Sequence, residues 1–185
     1  MEENKKKKIS TKDMVQIAMF TAVVAVLSQI AIPMPSGVPV TLQTLAVALC
    51  GYVLGSKKGA VSLLVYALLG AVGAPVFANF KGGLGAIAGP TGGFIWGFIF
   101  MAFLCGLGVE SKHKWLAVVL GIAGVLVCHA CGAAQFAMIK GNGFWSSALL
   151  VSVPYLVKDF VSVIIALGAA VLIRSRIKVT AAANQ

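Results

Sequence analysis

Acidic side chains are scarce in this chain, with five Asp and Glu against fifteen Lys and Arg in 185 residues. Of all these charges only Lys158 and Asp159 fall inside long apolar segments. At 59% hydrophobic and 11% charged, the composition excludes a soluble domain. A mean hydropathy of +0.98 says the same. The four cysteines (Cys50, Cys105, Cys128 and Cys131) lie in or at the ends of apolar segments, which argues against a disulfide framework. Cys128, His129 and Cys131 cluster, but mid-helix, where residues three apart share a face and adjacent residues do not. With no fourth ligand, that cluster reads as packing between helices, and no metal or other cofactor is expected. The chain also lacks an HExxH motif, a second membrane aspartate and a serine–histidine pair on plausible facing spans, so an intramembrane enzyme is not expected.

What is present is apolar sequence in six segments, at 14–32, 42–54, 59–74, 94–109, 115–139 and 154–173. A spanning helix needs roughly 20 apolar residues. The expectation is an all-α integral membrane protein, a bundle of six transmembrane helices with no appended soluble domain. The first segment has a longer apolar core than a signal peptide and no small-x-small cleavage site before Pro33, so it is read as a helix, N-capped by Ser10 or Thr11. If the N-terminus is cytoplasmic and the segments alternate, one side receives Lys5–Lys8, Lys12, Lys57, Lys58, Lys112, Lys114, Arg174, Arg176 and Lys178. The other receives only Lys81 and Lys140. Twelve against two is the positive-inside pattern, which puts both termini in the cytoplasm of a plasma-membrane protein. The domain reading is a basic tail at 1–13, one membrane domain at 14–173 and a C-terminal tail at 174–185. The basic tail sets topology and does not call for nucleic acid.

The outer connections, 33–41, 75–93 and 140–147, are rich in Pro, Gly and neutral polar residues. The middle one, PVFANFKGGLGAIAGPTGG, holds six of the 21 glycines. It is too long for a turn and too apolar to float in water, which suits a glycine-rich extracellular loop folded over the bundle as a cap on a ligand pocket. It is not a nucleotide loop, because Gly93 is followed by Phe94 and a span rather than by lysine and a hydroxyl residue. In the last span, Ser152, Tyr155, Asp159, Ser162 and Ala166 recur at intervals of three and four and form one inward stripe. Lys158 is rotated by about 100° from Asp159 and is expected to reach the cavity from its rim or to snorkel outward. A charge inside a membrane usually marks a substrate or ion path, so Asp159 heads the candidates. Asn79 and Lys81 in the loop, and Thr41 and Gln43 at the start of the second helix, converge on the same side. On the first helix, Ala18, Ala22, Ala25 and Gln29 line one face and open with a small-xxx-small spacing.

Three stretches carry a resemblance: VPVTLQT (38–44), GAPVFANFKGGLGAIAGPTGGF (73–94) and PYLVKDFVSV (154–163). They closely resemble the BioY family, the biotin-specific S-components of energy-coupling factor (ECF) vitamin transporters. The resemblance implies a six-helix membrane bundle with a loop-covered pocket near the extracellular side. It implies that Asn79 and Asp159 bind the vitamin's ring. It also implies that Ala18 and Ala22 dock on a membrane-embedded coupling subunit working with ATP-binding cassette ATPases. Many relatives place a glycine before this aspartate and a lysine three residues after it, where this chain has Lys158 and Ser162. The partner of the biotin carboxylate therefore stays open among Lys158, Lys81 and loop amides such as that of Gly83. Phe77, Phe80 and Tyr155 are candidates to enclose the rings. About three satisfied polar contacts plus burial suit nanomolar affinity, about 12 kcal/mol. The expected function is high-affinity capture of biotin for uptake. The competing expectation is a stand-alone biotin or small-carboxylate facilitator, or a proton-coupled carrier using Asp159.

Overall fold

The computed structural model describes residues 10–183, with side chains through Arg176. The Lys5–Lys8 run lies outside these residues, and Lys178 lies outside the described side chains. Helix α1 (Thr11–Ser28) begins with Ser10 as N-cap. The Ser10 hydroxyl accepts from the Asp13 amide at 3.2 Å, and the Asp13 carboxylate accepts from the Ser10 amide at 3.3 Å, a capping box. The helix stops four residues short of the expected 32. Ile32 precedes Pro33, which disfavours helical backbone there. Residues 31–32 instead pair antiparallel with 40–41 as strands β1 (Ala31–Ile32) and β2 (Val40–Thr41), so the fold is helical apart from one small hairpin.

Helices α2 (Gln43–Leu54) and α3 (Ser56–Ala71) follow, joined at Gly55, whose φ of 85° makes the sharp turn. The 72–91 segment holds a 3-10 turn at Ala78–Phe80 and a short helix α4 (Leu84–Ala88). Then come α5 (Gly92–Glu110), α6 (Trp115–Lys140), α7 (Phe144–Val151) and α8 (Val153–Ala183). The expected connection at 140–147 thus contains the first half of α7, and α8 runs ten residues beyond the expected 173. Pro154 stands in the first turn of α8, where its missing N–H costs nothing.

Among the described residues, four helices are long and apolar enough to cross a membrane: α1, α5, α6 and the 153–176 part of α8. With 12 and 16 residues, α2 and α3 extend about 18 and 24 Å, short of a hydrocarbon core of about 30 Å. The centre of the bundle is the α5–α6 pair, with α2 between α5 and α8. Close approach there requires glycine: a Cβ on Gly97 would sit 2.7 Å from the Cys128 Cα. Tyr52, Tyr66, Leu63 and Met101 fill the interior, while Val26, Leu68, Val157 and Leu172 face outward.

The two ends of the bundle differ. At one end Lys58 pairs with Asp13 at 3.0 Å and Arg174 donates to the Tyr52 carbonyl at 2.9 Å. There the Glu110 carboxylate, at the end of α5, accepts from the Ser56 amide at 2.8 Å and from its hydroxyl at 2.7 Å, capping α3. The hairpin, the 72–91 segment and α7 gather at the other end, over a cavity.

Candidate functional site

The cavity encloses about 830 Å³ of empty space, counting the open mouth. Its deep wall is α8. Tyr155, Asp159, Ser162 and Ala166 of the expected stripe are all buried on it, and Ser152 is buried just before the helix begins.

Asp159 is 4% exposed, and both of its oxygens are engaged. Its Oδ2 accepts from His129 Nε2, on α6, at 2.8 Å. Its Oδ1 forms an ion pair with Lys158. The two neighbours do not project alike from the helix, yet the flexible lysine stem bends back far enough to bring the charges together. Lys158 Nζ also donates to the Thr41 carbonyl at 2.8 Å, tying α8 to β2. Lys158 lines the cavity, so it reaches it as one of the two expected alternatives allowed, but paired to Asp159 and Thr41 rather than snorkelling outward. A buried aspartate with a cationic partner and a hydrogen-bond donor meets the requirement that buried charge be compensated.

His129, which the sequence pattern assigns to packing, is instead a cavity-lining partner of Asp159. It is buried, lines the cavity, and meets the Phe94 ring edge-on at 5.7 Å. Its Nδ1 has no hydrogen-bond partner among the described residues. A count restricted to Asp, Glu, Lys and Arg overlooks it. The available signal is that it is the one histidine inside an apolar segment, in a bundle whose lone membrane carboxylate needs a donor.

A second polar chain supports the wall from α2. Thr41 Oγ1 donates to Gln43 Oε1 at 3.0 Å, and Gln43 Nε2 donates to the Tyr66 hydroxyl at 2.9 Å. Tyr66 donates to the Val76 carbonyl at 3.1 Å, anchoring the base of the loop. Thr41 and Gln43 line the cavity, and so does Phe77, packed edge-to-face on Tyr66 at 5.3 Å. Phe77 fits only because Gly70 lacks a side chain; a Cβ there would collide with the ring. On the α8 wall, Tyr155 donates to the Val38 carbonyl at 2.6 Å and lies 2.8 Å from the Ser36 hydroxyl.

Asn79 and Lys81 also line the cavity, from the loop at its mouth. Two residues stand apart from the lining. Gly83 donates its amide to the Gly70 carbonyl at 2.6 Å, and its φ of 89° turns the chain into α4. Phe80 is 71% exposed and its ring does not enclose the cavity, so it is not one of the walls. Ala18 and Ala22 lie on the exposed outer face of α1, away from the cavity. The cavity thus offers an anionic acceptor and a histidine in its depth, an asparagine amide and a lysine at its mouth, and apolar rings between. That inventory suits a small ligand with hydrogen-bond donors at one end, an apolar body and an anionic group.

Comparison with known proteins identifies the family. The chain is 44% identical over 122 residues to the biotin transporter BioY of Thermotoga maritima, covering 65% of this chain and 72% of that one. It is 36% identical over 170 residues to the probable biotin transporter BioY of Pyrococcus horikoshii, covering 92% and 98% respectively. Among solved structures, the S-component for biotin from an ECF-type ABC transporter matches with a TM-score of 0.78 at 25% identity, over 89% of this chain and 91% of that one. The BioY family model matches residues 3–179. Helical frame and sequence therefore point the same way, and this multi-pass membrane chain belongs to the BioY family.

Proposed function

We propose that this protein is the biotin-capturing membrane subunit of an ECF-type uptake transporter. The observation that carries the reading is the Asp159–His129–Lys158 cluster, its Asp and His buried, lining one cavity together with Asn79 of the glycine-rich loop. Biotin has two ureido N–H donors and a carbonyl, a thioether ring and a valerate carboxylate. Asp159 accepts from one ureido N–H, a charge-assisted bond strengthened where water is excluded. Asn79 completes the recognition, donating to the carbonyl or accepting from the second N–H. Phe77 and Tyr155 enclose the rings. Lys81, an exposed cation at the mouth, takes the carboxylate, since Lys158 is already paired within the wall.

The basic end of the bundle faces the cytoplasm with both termini, and six helices cross, α2 and α3 as a short pair. The cavity then opens outward beneath its loop. Capture precedes docking of α1, through exposed Ala18 and Ala22, on a membrane coupling subunit, with ATP hydrolysis in separate cassette subunits. The test is uptake of labelled biotin by cells carrying this chain with and without a coupling module. Uptake that requires the module and survives collapse of the proton gradient supports the reading. Uptake by the chain alone that collapses with the gradient assigns Asp159 to a proton-coupled carrier instead.

A further inference from the structure

Gln29, the C-cap residue just past α1, grips the loop over the cavity with both ends of its side-chain amide. Gln29 Nε2 donates to the Val76 carbonyl at 3.2 Å and to the Ala25 carbonyl at 3.0 Å. Its Oε1 accepts from the Phe80 amide N–H at 2.9 Å. That amide lies at the centre of an unusual piece of backbone. Asn79 and Phe80 both have left-handed φ, at 59° and 56°. Asparagine visits this region readily, but a bulky aromatic residue rarely does. Burial of the Phe80 ring cannot account for the conformation, because the residue is 71% exposed. What holds it is hydrogen bonding: the Phe77 amide to the Lys81 carbonyl at 2.9 Å around the turn, and Gln29 on the amide inside it. Asn79, at the tip of that turn, lines the cavity, whereas Gln29 does not.

We propose that Gln29 is a positioning residue for ligand binding, holding the left-handed 79–80 backbone so that the Asn79 side chain is presented to the ligand. This rests on the reading of the cavity as a biotin site. Gln29 acts through the loop and touches no ligand. It also mounts the loop on the same helix that exposes Ala18 and Ala22, so a shift of α1 is felt at the cavity mouth.

The test uses the full chain in detergent with Gln29→Ala, Phe80→Asn and the double variant, all checked for folding by thermal unfolding. Two quantities are read: hydrogen exchange at the residue-80 amide without ligand, and biotin affinity. Gln29→Ala removes the acceptor of that amide, so exchange accelerates about tenfold or more and biotin binds about tenfold more weakly. Asparagine at position 80 favours the left-handed region without glycine's freedom, so Phe80→Asn restores at least about threefold of the affinity lost in Gln29→Ala. Alone, it leaves binding unchanged or tighter. Unchanged exchange in Gln29→Ala overturns the proposal, and so does faster exchange with unchanged affinity. Weakened binding that Phe80→Asn does not relieve assigns Gln29 another role and equally overturns it. If the unaltered protein binds no biotin, the ligand assignment fails, while the exchange measurement still judges Gln29's hold on the loop.

Discussion

Replacing Asp159 by Asn changes one charge while keeping shape, and the structure says what that charge supports. In the native cluster His129 donates to Oδ2 at 2.8 Å and Lys158 pairs with Oδ1. An asparagine oxygen still accepts from His129, but a charge-assisted bond of about 1.5–3 kcal/mol becomes a neutral one near 1 kcal/mol, a loss of about 1 kcal/mol. The new amide N–H groups face the Lys158 ammonium, donor against donor. Stranding a fully buried charge costs about 3–5 kcal/mol. Lys158 keeps its bond to Thr41 and its side chain is 31% exposed, so about 1–2 kcal/mol is the appropriate share here. The expected loss of stability is therefore about 2–3 kcal/mol, read by thermal unfolding in detergent. Biotin separately loses its anionic acceptor and binds at least about tenfold more weakly, about 1.4 kcal/mol. The two effects are separable. Adding Lys158→Met to Asp159→Asn removes the stranded cation and returns about 1–2 kcal/mol of stability, while biotin affinity stays low. An Asp159→Asn protein with affinity within about twofold of the unaltered chain refutes the assignment of Asp159 as the ligand's acceptor.

Asn79→Ala removes the amide at the cavity mouth and is expected to weaken biotin binding at least about tenfold in the same equilibrium assay, with little change in unfolding temperature because the residue is exposed. Ala18→Trp adds bulk to the exposed face of α1; biotin affinity should be retained while uptake with a coupling module fails. Glu110→Ala strips the cap from the first turn of α3 and should cost about 1–2 kcal/mol in unfolding, leaving biotin affinity unchanged because the cap lies at the opposite end of the bundle.

Much of this architecture is legible in the chain because a bilayer enforces coarse rules. Apolar segments mark most main-helix ends to within about four residues, the C-terminal end of α8 excepted, and the period from Tyr155 to Ala166 identifies the buried face of α8. Ser10 is readable as an N-cap because Asp13 stands three residues on. Less legible is whatever depends on partners distant in sequence. His129 meets Asp159 across 30 positions, and nothing in the local pattern of α6 announces it. The curl of Lys158 onto Asp159 is a rotamer, invisible to a helical-wheel argument that ends at Cβ. Helix α7 starts inside a connection read as a loop and runs four residues past it, and α1 ends early because a two-residue strand pairing overrides an apolar run. Phe80 misleads for the opposite reason: an aromatic in a ligand loop invites a stacking role, but the left-handed backbone turns it outward.

The central claim is that this chain by itself holds a complete biotin site. Equilibrium titration of biotin into the purified protein in detergent, with no partner subunit present, tests it most directly. The account predicts saturable one-to-one binding at nanomolar concentration that is weakened at least about tenfold by Asp159→Asn. A folded sample that binds no biotin, or binds it equally well without the Asp159 carboxylate, contradicts it.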